Sequence, residues 1–392
     1  TISSISPSSG DVGTSVTVTG TNFSSAPTAN RVFFGATRAT ITSASATSLT
    51  MTVPSGASYS PLTLSVGGCN LSATSLYHFT PTFNNSTFAP GTLNFAPRLD
   101  ISTGPSFPLY VKPTDLDGDG KSDLVFIDES SNKLVIWRNT GTAGTISFSS
   151  PLSITANNPS NLVIADINGD GRPDVLTSNG SGGAFSLFTN TSTTGAVSFA
   201  ARIDYGSGTE DHSIAVGDLD MDGRPDVAVT NYTQNSVSIF KNTSTVSSIN
   251  FASAVDFATG TNPGDIVIGT ISDDGMPDIA VSCYSDSISV LRNTFSGGAI
   301  SFASKADFPA AASGDPIAIA LGNFNNNIAQ DLVVANTYAE NLTLYSNSSG
   351  SSDIGLTVHL GFQAGVCVDV ELADLSGDGK AEIVSSRYGE GK

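Results

Sequence analysis

The sequence predicts an all-β chain: a small β-sandwich followed by a β-propeller of four-stranded blades, six or seven in number with the last incomplete. Three observations predict it. A nine-residue acidic phrase begins at residues 115, 166, 218, 270, 323 and 374, at intervals of 51 to 53 residues, and so constant a period marks an array of one repeated unit. Short runs of alternating apolar and polar residues, bounded by turn formers, recur about four to a period. The chain has 39 Gly and 18 Pro but only 16 Lys plus Arg among 392 residues, a composition that favours turns and strands over helices.

Residues 1–80 lie outside the period. Thr1–Pro7 reads as a strand and Ser8-Ser9-Gly10 as a turn. Ser15–Gly20 alternates strictly, as a half-buried strand does. Arg31–Gly35, Ser48–Pro54, Leu62–Val66 and Leu76–Phe79 follow, each bounded by turn residues. About seven short strands in some 80 residues make a small sandwich. The phrases Ile5-Ser6-Pro7-Ser8-Ser9-Gly10, Val16–Phe23, Val32-Phe33-Phe34-Gly35 and Val53-Pro54 resemble the IPT/TIG domain. That resemblance implies an immunoglobulin-like fold used as a spacer or a binding module. Residues 81–92, with Pro81, Pro90 and Gly91, read as a linker, and 93–392 as the propeller.

The repeat is clearest over Ser213–Gly260. Ile214–Asp218 leads into the acidic phrase, Asp226–Thr230 leaves it, Asn231–Asn235 turns, and Ser236–Phe240 and Asn250–Phe257 supply the third and fourth strands. The acidic phrase thus joins the first two strands of each blade.

Its residue types point to calcium. A hard cation takes six to eight oxygens at flexible angles. Side chains at positions 1, 3, 5 and 9 of a tight loop, with the carbonyl of position 7, can supply them. The first copy offers Asp115, Asp117, Asp119, the Lys121 carbonyl and Asp123. The second offers Asp166, Asn168, Asp170, Arg172 and Asp174, and the third Asp218, Asp220, Asp222, Arg224 and Asp226. The last has Asp374, Ser376, Asp378, Lys380 and Glu382. Two copies are worn. Thr270–Asp278 lacks the first carboxylate, and Asn323–Asp331 has Asn323, Asn325 and Asn327 without a glycine at position 6. These two read as metal-free turns. No helical pattern flanks the loops, which excludes an EF-hand. An Asp-Gly hairpin turn needs one such pair, not four acceptors at odd spacing. The pattern resembles the FG-GAP and VCBS repeats, the blade type of the integrin α-subunit propeller. The resemblance implies calcium at the first three loops, and at the last with Ser376 and Glu382 as departures.

The net charge is −19. The four better loops hold fourteen carboxylates, and four divalent ions would bring the balance to about −11. This acidity excludes nucleic-acid binding, which wants basic stripes. Cys69, Cys283 and Cys367 form no disulfide framework, and Cys283 and Cys367 read as buried apolar residues. No apolar run is long enough to span a membrane, and no signal segment opens the chain. Ten Asn-x-Ser/Thr sequons, among them Asn22, Asn70, Asn190, Asn242 and Asn347, are candidate glycosylation sites. His78, His212 and His359 form no triad or zinc spacing, so no enzyme is expected. Trp137 shares the third-strand slot of Phe188, Phe240, Leu291 and Tyr345 and is expected to pack between blades.

Leu93–Ile101 matches a fourth strand yet precedes the first acidic phrase, while the last unit carries strands over Val366–Asp374 and Glu382–Tyr388. Pairing these leaves one strand unfilled: either the chain is cut short of a further blade or a strand arrives from another molecule. The second is the expectation adopted, with strand exchange into a head-to-tail homo-oligomer or surface filament. The expected function is a calcium-stabilised extracellular or cell-surface structural or adhesive protein. Its expected partners are other protein subunits and cell-surface or matrix ligands. A carbohydrate-binding propeller lectin, with glycans as ligands, is the alternative.

Overall fold

A computed structural model describes the chain apart from residues 36, 55–56, 58–59, 67–71, 83–107, 143–144, 181–183, 207–210, 246–247, 286, 311–313, 323, 325–329, 374–381 and 388–392. The described residues are almost entirely strand and turn. Two compact units result, one of Thr1–Leu176, Leu187–Ile203 and Ala373–Glu382, the other of Thr177–Ser186, Asp204–Leu372 and Ile383–Lys392.

The first unit opens with a sandwich of nine strands: β1 (Ile2–Ser6), β2 (Ser9–Asp11), β3 (Ser15–Gly20), β4 (Asn30–Phe34), β5 (Thr37–Arg38), β6 (Thr40–Ala44), β7 (Ser48–Thr52), β8 (Ser60–Val66) and β9 (Ser72–Thr82). They form two sheets, in the orders β1-β3-β7-β6 and β2-β9-β8-β4-β5. The alternation in β3 buries Val16 and Val18, which face Met51 and Leu49 across the β3–β7 register. From the other sheet Phe34 and Phe79 meet edge to face at 4.8 Å. A fully buried side chain of this size contributes roughly 2 kcal/mol. Ser9 and Gly10, expected in a turn, belong instead to β2. It pairs in parallel with the end of β9, Ser9 opposite Thr80 and Asp11 opposite Thr82. Backbone pairing needs no apolar alternation, so the residue pattern could not announce it. The same pairing carries β9 to Thr82, two residues into the expected linker.

Five four-stranded sheets follow, each in sequential order. The first is β10 (Pro108–Thr114), β11 (Asp123–Asp128), β12 (Lys133–Trp137) and β13 (Leu152–Thr155). The second is β14 (Pro159–Ala165), β15 (Asp174–Asn179), β16 (Phe185–Phe188) and β17 (Ile203–Tyr205). The third is β18 (Asp211–Gly217), β19 (Asp226–Asn231), β20 (Ser236–Phe240) and β21 (Val255–Ala258). The fourth is β22 (Pro263–Gly269), β23 (Asp278–Cys283), β24 (Ser287–Leu291) and β25 (Ala306–Pro309). The fifth is β26 (Pro316–Gly322), β27 (Asp331–Asn336), β28 (Asn341–Asn347) and β29 (Leu356–Gln363). A two-stranded sheet of β30 (Cys367–Ala373) and β31 (Glu382–Arg387) ends the described chain. These are the blades of a β-propeller, and the fold is all-β. The expected strand Leu93–Ile101, Cys69, and the worn-loop residues Asn323, Asn325 and Asn327 lie outside the described residues.

The middle strands are the buried ones: β15, β19, β23 and β27 are covered along their whole length, as are the third strands β16 and β20. Their side chains have neighbours on both faces. Leu116, Val125 and Ile136 of the first blade pack against Leu162, Val175 and Phe188 of the next repeat. Within the second unit, Ala228 and Val237 meet Ile279 and Leu291, and Ala280 and Val290 meet Leu332 and Tyr345. The third-strand aromatic slot does pack between repeats at Phe188, Leu291 and Tyr345. Trp137 departs from that expectation, with its ring contacts to Phe126 and Phe148 of its own repeat. The fourth strand of the third blade starts at Val255, later than expected. Phe251 forms an isolated bridge with Asn242 instead, as Phe148, Phe199 and Phe302 do with Asn139, Asn190 and Asn293.

Cys283 and Cys367 are buried free thiols. His359 is exposed and lies 2.6 Å from the Ser346 hydroxyl. No helix of the described residues is long and apolar enough to cross a membrane.

Candidate metal centres

In the first acidic loop the chain curls around the Asp115 carboxylate. Gly118, at φ 72°, and Gly120, at φ 84°, adopt the left-handed backbone that glycine tolerates without strain. Their N–H groups donate to Asp115, Gly118 to Oδ1 at 2.9 Å and Gly120 to Oδ2 at 2.9 Å. The Asp119 N–H donates to Asp115 Oδ1 and to Asp117 Oδ1, both at 3.1 Å. One carboxylate oxygen each from Asp115, Asp117 and Asp123 lie within 4.8 Å of one another, and all three residues are buried. Burial raises the pKa of Asp123 to about 6 and raises that of Asp115, although backbone N–H groups pull both down. Three hard oxygen donors converging in a buried loop fit a divalent cation such as calcium.

In the third loop the converging group is instead positions 1, 3 and 5, Asp218, Asp220 and Asp222, again within 4.8 Å of one another but with only Asp220 buried. Met221 stands at φ 56° where the other two loops have glycine. Burial raises the pKa of Asp218 to about 6 and of Asp226 to about 8. In the second loop Asp166 accepts from Asp170 N at 3.0 Å and Gly171 N at 2.7 Å, and the Asn168 side-chain amide reaches Asp170 at 3.3 Å. With Asn at position 3 it carries one negative charge fewer. Asp119 and Asp226 stand outside the two three-carboxylate groups. The backbone N–H groups of Lys121, Arg172 and Arg224 each donate to the loop's position-5 aspartate. Asp374, Ser376, Asp378 and Lys380 lie outside the described residues, while Glu382 opens β31.

Side-chain cations sit on these carboxylates. Arg138, just past β12, places Nε 2.5 Å from Asp117 Oδ2 and Nη2 2.8 Å from Asp119 Oδ2. Lys241, just past β20, pairs with Asp220 and lies 3.5 Å from Asp222. Arg172 and Arg224 pair with Asp170 and Asp222 within their own loops. In the worn fourth copy Arg292 lies 3.5 Å from Asp274.

Position 9 has a task the sequence reading gave wholly to the ion. Asp123 accepts from Leu116 N at 3.0 Å and from Asn139 N at 2.7 Å. Asp174 does the same with Ile167 and Asn190, and Asp226 with Leu219 and Asn242. The worn copies keep the bonds: Asp278 accepts from Ile271 and Asn293, and Asp331 from Phe324 and Asn347. This aspartate therefore ties its loop to the end of the third strand whether or not the loop keeps a ligand set.

The asparagines extend the tie to the preceding blade. Asn190 Nδ2 donates to the Leu116 carbonyl at 2.9 Å, Asn293 to that of Leu219 at 2.7 Å, and Asn347 to that of Ile271 at 2.8 Å. Sequence reasoning missed this role. Its signal was present, since Asn139, Asn190, Asn242, Asn293 and Asn347 recur 23 or 24 residues after each phrase begins. The same bonds overturn part of the glycosylation expectation. Asn190, Asn242 and Asn347 are at most 1% exposed, and their amides are committed to backbone groups. A glycan there is incompatible with the folded blade.

Residues 115–177, 166–229 and 218–281 each match the FG-GAP-like repeat, and residues 1–83 match the IPT/TIG domain. No curated protein matches the sequence. Among solved structures, the chain is similar to the periplasmic gluconolactonase of Pseudomonas aeruginosa, at 14% identity and a TM-score of 0.46, over 71% of this chain and 72% of that one. A protein from Lactobacillus plantarum is similar at 16% identity and a TM-score of 0.45, over 65% and 71% of the two chains. An auxiliary nutrient binding protein from Bacteroides thetaiotaomicron is similar at 11% identity and a TM-score of 0.41, over 98% and 97%. Sequence matches and blade architecture together identify the chain as an IPT/TIG domain followed by a β-propeller of FG-GAP-like repeats.

Proposed function

We propose that this is a non-enzymatic, calcium-stabilised structural or adhesive protein that works outside the cell or on its surface. The observation that carries the reading is the convergence of buried Asp115, Asp117 and Asp123. Left alone, three such carboxylates repel at close range in a poorly solvated loop. Bound calcium supplies the positive charge that lets all three stay ionised. The chain's own groups do the rest: the glycine N–H groups aim Asp115 inward, and Asp123 fixes the loop to Asn139 at the end of the third strand. Calcium is abundant outside cells and scarce in the cytosol, which suits an exterior location.

The test is thermal unfolding with calcium and after chelation. A site loaded at a hundred times its Kd adds about 2.7 kcal/mol, so three filled loops predict a Tm roughly 10 °C lower in EDTA. An unchanged Tm in EDTA would remove the metal from the account.

A second reading, glycan binding, is favoured by the other ends of the same strands. Tyr232 and Tyr284, following β19 and β23, meet edge to face at 5.6 Å, and Tyr338, following β27, is 77% exposed. Aromatic faces beside polar groups suit sugar rings. A glycan array with no binder would retire this reading.

A further inference from the structure

We infer that Arg138 and Lys241 are tethered counter-ions that compete with calcium for the first and third loops and so set their affinity. The inference rests on the proposed calcium reading and adds residues that supply no ligand. Arg138 follows the first phrase's start by 23 residues, and Lys241 follows the third's by the same interval. Each comes from the end of a third strand and reaches back over its loop. The Arg138 guanidinium spans Asp117 Oδ2 and Asp119 Oδ2, and the Lys241 ammonium lies on Asp220 and Asp222. These are position 3 and position 5 in both cases, two of the side chains whose oxygens an ion needs. The Oδ1 atoms of Asp117 and Asp119 accept backbone N–H groups. The Oδ2 atoms face Arg138, that of Asp117 also accepting from Gly195 N at 3.0 Å and that of Asp119 lying 4.0 Å from Lys121 Nζ.

The fourth blade carries the same device where the ligand set has decayed. Arg292 follows Thr270 by 22 residues and pairs with Asp274, the position-5 aspartate. There the side-chain cation has become the resident positive charge. The second loop, by contrast, has Thr189 at the corresponding place. It combines fewer carboxylates with no cation from that position; the cations there are Arg172, paired with Asp170, and Arg31, which donates to the Asp170 carbonyl. An ion entering the first or third loop must displace or share with a cation held by a charge-assisted bond. Such pairs at partly exposed positions are worth a modest, salt-sensitive amount.

The experiment is calorimetric calcium titration of the chelator-stripped full chain and of its Arg138→Gln and Arg138→Lys variants. Terbium luminescence excited through Trp137, the chain's single tryptophan and the neighbour of Arg138, follows the first loop separately. Arg138→Gln is expected to tighten metal binding at that loop by about three- to tenfold and to lower the Tm of the metal-free protein. Arg138→Lys should lie between the two. Lys241→Gln should tighten one calorimetric site by a similar factor and leave the Trp137-sensitised signal unchanged. An affinity at the first loop that is unchanged or weaker in Arg138→Gln overturns the inference. If Arg138→Gln folds only with calcium, its affinity is read by removing calcium with graded chelator, and the same two outcomes apply. A parent protein that binds neither calcium nor terbium defeats the calcium reading itself, so the two failures are distinct.

Discussion

Asp265 shows how one side chain can hold three blades of the second unit. It stands on β22, accepts from the Ser213 hydroxyl of β18 at 2.8 Å and from the Ile319 N–H of β26 at 3.1 Å. Its own neighbour Ile266 donates to it at 2.9 Å. Burial raises its pKa to about 6; the three donors pull it back down, and nearby Asp369 pushes it up. The folded pKa therefore stands above the unfolded one, so the folded state holds its proton more tightly. Stability from this group is greatest below pH 4, falls as pH rises from about 4 to about 6, and is flat beyond. Asp265→Asn cannot titrate. In saturating calcium, the Tm of the parent relative to this variant is expected to decline by a few degrees between pH 4 and 6 and to stay level from pH 7 to 8. Parallel Tm curves for the two proteins would refute the assignment. Nothing in the sequence singled out Asp265, because its partners come from blades about 50 residues away on either side and only the packing of neighbouring blades brings them together.

At the scale of an element, the acidic loop is two devices superposed. Positions 1 and 3 lose their carboxylates in both worn copies and position 5 in one of them, but position 9 and its asparagine are kept. The residue types at odd spacing were legible from sequence as ligands, since oxygen chemistry and spacing suffice to read them. The staple was not, since a carboxylate that accepts backbone N–H groups looks the same in sequence as one that binds an ion. The fourth blade separates the two roles. Asp278 is fully buried and accepts from Ile271 N, Ser272 N, Ser272 Oγ and Asn293 N. Asp278→Ala leaves these donors without a carboxylate in the interior, at about 1–3 kcal/mol for each buried donor left unsatisfied. At the low end of that range the four donors make a loss of about 4 kcal/mol, expected by urea unfolding and equal in calcium and in EDTA. A loss seen only in calcium would mean that the worn loop still binds metal.

For the whole molecule, the period made the four-stranded blade and the order of its strands legible, because a repeat enforces its own register. Strand ends were less so: β2, the tail of β9 and the late start of β21 depend on backbone partners that leave no apolar signature. The repeats also differ in what holds their loops, and that difference runs along the chain. The first and third loops keep three converging carboxylates, and the second keeps Asp166, Asn168 and Asp170 at positions 1, 3 and 5. The fourth substitutes Ser272 bonded to Asp278, Gln330 accepting from Thr270 N at 2.9 Å, and Arg292 beside Asp274. Removing calcium should therefore act on some loops and spare another within one chain. Local opening governs amide exchange, and the amides of Gly118, Asp119 and Gly120 are closed only while Asp115 stays ionised and centred. Hydrogen exchange in EDTA is expected to rise at residues 115–123, 166–174 and 218–226, by about tenfold or more for each 1.4 kcal/mol of local stability lost. Exchange at residues 270–278 should stay as it was in calcium. A uniform rise over all four loops would mean that calcium, where it acts, stabilises the propeller only as a whole and not loop by loop.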